Sequence, residues 1–284
     1  ARVFQFRDWA LVFAGAVFAV GLVLIVGQYD RVQKGRSQLP PPVGQAVVRP
    51  FESLVSDWTD QDLPHGWMVW SSNRFGNHDI LQMHLPNGRI TRLTQHPHSE
   101  YFPRISPDGR QLVFARSREA WVSQRDPVPW NVFLLDLESG SERQLAEFAT
   151  SPTWSENGDR VYFQRGTDEF VELDLASGRE RVLYRAGEGM IPARVEFSRP
   201  SYNLRLTQMA VTWRGARRMT VTVGLDGNLR PVGQGCQLTW APDGGFLYWV
   251  DHGGLMQNRI YKQARGTDEA RSWLDLPAPY SHEY

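Results

Sequence analysis

Cysteine occurs once in this chain, at Cys236, so no intrachain disulfide can form and no cysteine-based metal cluster is available. A lone cysteine beside a strand pattern reads as a small buried hydrophobe. Net charge is also missing: 31 Lys and Arg balance 31 Asp and Glu, which removes any bulk attraction to nucleic acid. Arg214, Arg217 and Arg218 form a local basic group that reads as a solvated face. No G-x-S-x-G nucleophile elbow occurs, so nothing marks a serine hydrolase domain of the α/β type. The H-E-x-x-H, P-loop and EF-hand patterns are absent as well. Asp108, Asn157 and Asp243 are turn formers without the ligand spacing of a calcium loop. These absences leave no catalytic residue and no cofactor to assign.

What is present is a repeated hairpin. Tyr101 to Phe114 reads YFPRISPDGRQLVF, with Ser106-Pro107-Asp108-Gly109 as the turn. Proline presets φ there and glycine takes a positive φ. Leu112 and Phe114 then alternate with their neighbours, as a strand with one buried face requires. The pattern returns at Thr153-Trp154-Ser155-Glu156-Asn157-Gly158 and at Thr239-Trp240-Ala241-Pro242-Asp243-Gly244, with a worn copy at Phe197-Ser198-Arg199-Pro200.

A second motif lies between these copies. Asn131 to Leu145 is NVFLLDLESGSERQL and Glu169 to Leu183 is EFVELDLASGRERVL. Asp79 to Leu93, Met219 to Val232 and, more loosely, Arg259 to Trp273 have the same shape. Their turn glycines (Gly88, Gly140, Gly178, Gly227, Gly266) recur roughly every 40–50 residues, the period of four-stranded propeller blades. A single such sheet cannot bury both faces, so the units must stack around an axis. The eleven Trp fit the filling of the wedges between blades.

The alternation of "W-S-P-D-G-x-x-Φ-x-F" with "I-Φ-x-Φ-D-L-x-S-G-x-x-x-x-L" resembles the TolB-type β-propeller repeat. The resemblance covers roughly residues 65–284. It implies an all-β TolB-like propeller, with about five blades visible and six or more in full. It says little of function, because the fold hosts binding proteins, peptidase gating domains and lyases.

Trp9 to Gly27 carries no charge and is long enough to cross a ~30 Å hydrocarbon core as a helix. Gln28-Tyr29-Asp30-Arg31 makes a poor cleavage site, so the stretch reads as a retained signal anchor. Residues 1–8 become an N-terminal cytoplasmic stub, 9–27 a single transmembrane α-helix, 28–62 a juxtamembrane linker and 63–284 the propeller. The linker contains Pro40-Pro41-Pro42, a semi-rigid spacer in polyproline II form. Small residues at Ala10, Ala14, Gly15, Ala19 and Gly21 offer faces for another membrane helix. Flanking charges are nearly balanced. The orientation therefore follows the resemblance: a bacterial inner membrane protein, single-pass, with the propeller in the periplasm.

Two further stretches stand out. The second blade holds an insertion, RSREAWVSQRDPVPW, with Trp121, Arg125 and Trp130. Trp with Arg is the composition of interface hot spots, and the alternative is that both Trp fold back on the rim. His96-Pro97-His98 places two imidazoles at i and i+2 on an extended segment. That spacing suits a metal, but the stretch also matches an ordinary blade-start loop. At the C-terminal end Ser281-His282-Glu283-Tyr284 reads as the opening of another blade. Either the protein continues, or residues 43–62 close the ring.

The expected function is non-catalytic: an accessory or scaffolding subunit of a larger membrane complex, respiratory or photosynthetic among the candidates. Its partners would be other membrane-protein subunits, reached through helix and propeller, together with the lipid bilayer and no nucleic acid. The alternatives are a metal-dependent propeller lyase or hydrolase, and the propeller of a prolyl-oligopeptidase-like membrane peptidase.

Overall fold

A computed structural model describes residues 66–85, 88–124, 126–233, 235–241, 243–252 and 258–276. The expected membrane helix with its packing residues, the proline-rich linker and the C-terminal SHEY lie outside these residues. Among the described residues no helix is long and apolar enough to cross a membrane.

Five antiparallel sheets follow one another along the chain. Blade one holds β1 (Gly66–Phe75), β2 (Asn77–Leu85) and β3 (Ile90–Arg92). Blade two holds β4 (Glu100–Ile105), β5 (Gln111–Ser117), β6 (Trp130–Asp136) and β7 (Glu142–Ala146). Blade three holds β8 (Ala149–Trp154), β9 (Arg160–Arg165), β10 (Glu169–Asp174) and β11 (Glu180–Arg185). Blade four holds β12 (Glu196–Asn203), β13 (Gln208–Arg214), β14 (Met219–Gly224) and β15 (Leu229–Gly233). Blade five holds β16 (Cys236–Trp240), β17 (Phe246–His252), β18 (Asn258–Ala264) and β19 (Ala270–Leu276). The chain is therefore an all-β, five-bladed propeller over the described residues. The sixth blade expected from the sequence is not among them.

The turns do what their residues dictate. Gly109 has φ 75° and Gly140 φ 71°, so both hairpin types use a left-handed glycine. Ser106 Oγ receives the Gln111 amide at 2.9 Å and donates to Asp108 Oδ1, which locks the first turn. Asp136 Oδ1 accepts from Ser139 N and Oγ, each at 2.8 Å, which locks the second.

The core is divided between the blades by the two-residue period of the strands. Along β5, Leu112 and Phe114 join Ile80 and Leu135 between blades one and two. Val113 instead joins Val161, Phe163 and Val171 between blades two and three. Along β9, Val161 and Phe163 face blade two while Tyr162 packs with Met209 and Val211 of blade four. Middle strands are buried on both faces, which explains their continuous apolar runs. Outer strands such as β7 are mostly exposed. The first strands touch in succession, β4 with β8, β8 with β12 and β12 with β16, as strands that converge on an axis must.

Candidate functional site

The loop before β4, the start of β2 and the insertion between β5 and β6 meet at one end of blades one and two. Ser99 ties them together. Its Oγ donates to Asn77 Oδ1 at 2.8 Å and receives the Val122 amide at 3.2 Å. Its own amide donates to Ser117 Oγ at 3.1 Å, and its carbonyl accepts from the Ser117 amide at 2.9 Å. Asn77 Nδ2 completes the junction by donating to His96 O at 2.9 Å.

His96 and His98, the metal candidates, lie in this junction with ring centres 4.9 Å apart and edge to face. Their tautomers follow from their partners. His96 Nδ1 receives the His98 amide at 3.0 Å, so it is an acceptor and the neutral ring carries its proton on Nε2. His98 Nδ1 lies 3.0 Å from Ser117 O, which can only accept, so this nitrogen carries the proton. A lone pair remains at His98 Nε2 alone. Among the described residues no group of three His, Cys, Asp or Glu is arranged to hold a metal ion. Desolvation, followed by the charges of Arg116 and His98, lowers the pKa of His96. Burial does the same at His78, whose ring stacks on Tyr101 at 4.5 Å.

Beneath the junction lies a charged network. Glu100 is fully buried and its Oε1 accepts from Arg116 Nε at 2.7 Å. Thr94 Oγ1 receives the Ile80 amide at 2.9 Å and donates to Glu100 Oε2, which stitches blade one to blade two. Arg116 also reaches Glu142 at 2.7 Å and lies 4.5 Å from the centre of the Phe133 ring. Desolvation pushes the Glu100 carboxyl up to about 7, against the pull of Arg116 and Thr94. The network was not legible as a unit in the sequence. Its signal is the placement of Glu100 and Arg116 at inward positions of paired strands.

The insertion separates its two tryptophans. Trp130 starts β6 and is buried with Tyr101, Ala115 and Val122, its ring 5.7 Å from Tyr101. Trp121 is 40% exposed and holds φ 60°. The loop that carries it is pinned: Arg118 N donates to Pro129 O at 2.9 Å, Asp126 N to Ser123 O at 3.0 Å, and Ser123 N to Asp126 Oδ2 at 2.8 Å. Arg118 at the loop's start covers the ring of Phe148, itself exposed, at 4.6 Å. Arg125 lies outside the described residues.

Solved structures with a similar fold include TolB from Acinetobacter baumannii, with a TM-score of 0.55 at 14% identity over 78% of this chain and 55% of that one. A putative TolB from Agrobacterium tumefaciens matches with a TM-score of 0.55 at 16% identity, over 77% of this chain and 79% of that one. The fold is a TolB-type β-propeller. No family model matches the sequence. An uncharacterized protein of Agrobacterium fabrum is 26% identical over 117 residues, 39% of this chain and 40% of its own length. The oligogalacturonide lyase of Pectobacterium atrosepticum is 27% identical over 100 residues, 33% of this chain and 24% of that enzyme. The TolB-type propeller thus spans less than half the length of either curated relative it matches.

Proposed function

We propose that this TolB-type propeller is a non-catalytic docking module, held at a bacterial inner membrane by residues 9–27 and facing the periplasm. On this reading it serves as an accessory subunit of a larger membrane complex. The observation that carries the reading is the presentation of Trp121. Its loop is held by backbone hydrogen bonds and by Ser99, so an exposed aromatic is carried on a pinned loop, and Arg118 at the start of that loop covers the exposed ring of Phe148. A rigid aromatic anchor loses little conformational entropy on binding, and Trp with Arg dominates interface energetics. An uncharged apolar stretch at 9–27 supports the tether, which raises the effective concentration of a modest interface.

A mild-detergent pull-down from native membranes tests this. The wild-type chain is expected to recover a stoichiometric set of other membrane subunits. Trp121→Ala should lose them while its melting temperature stays unchanged. Recovery of the wild-type chain alone, at monomer mass, overturns the reading.

A second reading, a propeller lyase, draws on the stretch shared with the Pectobacterium enzyme and on the lone pair left at His98 Nε2. Metal analysis of the purified chain, with turnover of an oligogalacturonide, separates it from the first.

A further inference from the structure

The turn between the first two strands has the same shape in blades two, three and five, but blade three holds it differently. In blade two Asp108 Oδ1 accepts from Ser106 Oγ at 2.5 Å and from the Arg110 amide at 3.1 Å. In blade five Asp243 Oδ1 accepts from the Gly245 amide at 2.9 Å. The same place in blade three is Asn157. There Ser155 Oγ turns to Asp159 Oδ1 instead, at 2.8 Å. Asn157 is exposed, and its side chain makes no hydrogen bond among the described residues.

An unheld asparagine amide next to glycine is open to attack by the backbone. Gly158 follows with φ 76°, and it has no Cβ to shield its nitrogen. That nitrogen donates to Ser155 O at 3.1 Å, the bond that must open before it can reach Asn157 Cγ. Opening one hydrogen bond of a surface turn is a local fluctuation that leaves the rest of the fold intact.

We propose that Asn157-Gly158 is a site of spontaneous covalent modification, at which the amide becomes aspartate or isoaspartate. The Gly158 nitrogen attacks Asn157 Cγ and gives up its proton. The N–Cγ bond forms, the Cγ–Nδ2 bond breaks, and ammonia leaves with that proton, closing a succinimide. Water then opens the ring. Breaking N–Cγ yields aspartate, and breaking the original peptide bond yields isoaspartate, with no change of oxidation state in either case.

The two products have opposite consequences. Aspartate restores the group that Asp108 and Asp243 supply to the sister turns. Isoaspartate lengthens the backbone by a methylene inside a turn that touches both neighbouring blades. A Cβ built on Gly158 would lie 3.4 Å from Pro107 Cδ of blade two, and Glu156 Oε1 accepts from Arg205 Nε of blade four at 2.6 Å. The longer backbone must displace one contact or the other.

The test is incubation of the full chain at pH 8, followed by peptide mapping with mass spectrometry. Methylation by a protein isoaspartate methyltransferase reads the isomer. Amide loss is expected at Asn157, and the map separates this peptide from Asn87-Gly88. Asn157→Gln should abolish the signal from this peptide, because the longer side chain closes a larger ring less readily. Asn157→Asp should melt at the wild-type temperature, whereas the isolated isoaspartate form should melt lower. Urea below the unfolding transition should leave the conversion rate unchanged. An Asn157 that stays intact in the native protein while the urea-unfolded chain converts overturns the proposal. So does a rate that climbs with urea in step with global unfolding, since the chemistry then belongs to the unfolded chain.

Discussion

Arg116 donates from Nε to Glu100 Oε1 at 2.7 Å, and this pair sits where blade one meets blade two, with Glu100 fully buried. The carboxyl is nevertheless pushed up from 4.5 to about 7, because desolvation outweighs the attraction of its partner. A carboxyl whose folded pKa is raised binds its proton more tightly in the native state than in the unfolded chain. Its contribution to stability is full below the unfolded value of 4.5 and is lost as pH rises through about 7.

The unfolding free energy from urea titrations should therefore fall between pH 5 and pH 8, by roughly 2–3 kcal/mol if Glu100 acts alone. Glu100→Gln should flatten this dependence, since the amide cannot titrate. An unchanged pH profile in a folded Glu100→Gln would show that some other group governs it.

Removing the cation has the opposite sense. Arg116→Met leaves Glu100 buried without its counter-charge and should cost about 3–5 kcal/mol at pH 8. At pH 5 the loss should shrink, because the stranded carboxyl can take a proton. Paired denaturation curves at the two pH values check this.

The interface between blades two and three depends on shape. Phe163 is fully buried among Val113, Val132 and Val171, so Phe163→Ala should cost about 3–5 kcal/mol. Phe148, 52% exposed, provides the control: Phe148→Ala should stay within about 0.5 kcal/mol of wild type. Thermal melts of both variants give the comparison.

Two turn glycines should respond differently to alanine. At Gly109 a Cβ meets nothing within 4 Å, so the penalty is the left-handed backbone alone, about 1–2 kcal/mol. At Gly244 a Cβ would lie 2.5 Å from Asn203 Nδ2, and Asn203 Oδ1 also receives the Leu206 amide. Gly244→Ala should therefore be the more destabilising of the two in equilibrium unfolding.

The fold was legible because turn chemistry is local. Ser106-Pro107-Asp108-Gly109 closes a hairpin through atoms within five residues of one another, and blades three and five repeat the signal. The bulges of the first strands, after Tyr101 and Ser198, were hidden for the converse reason. Left-handed backbone at Phe102 or Arg199 has no glycine to announce it, and the contact between these two side chains joins residues of different blades. A faint trace exists: Phe102, Ser151 and Arg199 each precede a proline. The insertion was recognisable by length and composition. Which tryptophan turns inward was not, because Trp130 is committed by its strand pairing with Ser117 and Trp121 is not in a strand.

The alternation along β5 also has a mechanical side. Leu112 and Phe114 press on one neighbouring blade and Val113 on the other, with one backbone between them. That strand is a shared wall. A side chain enlarged on one side has no slack to occupy, so the wall itself must shift and compress the opposite wedge. An enlarged side chain at Val113 should therefore disturb the packing of Leu112 and Phe114 against blade one as well as that of Val161 and Phe163 in blade three.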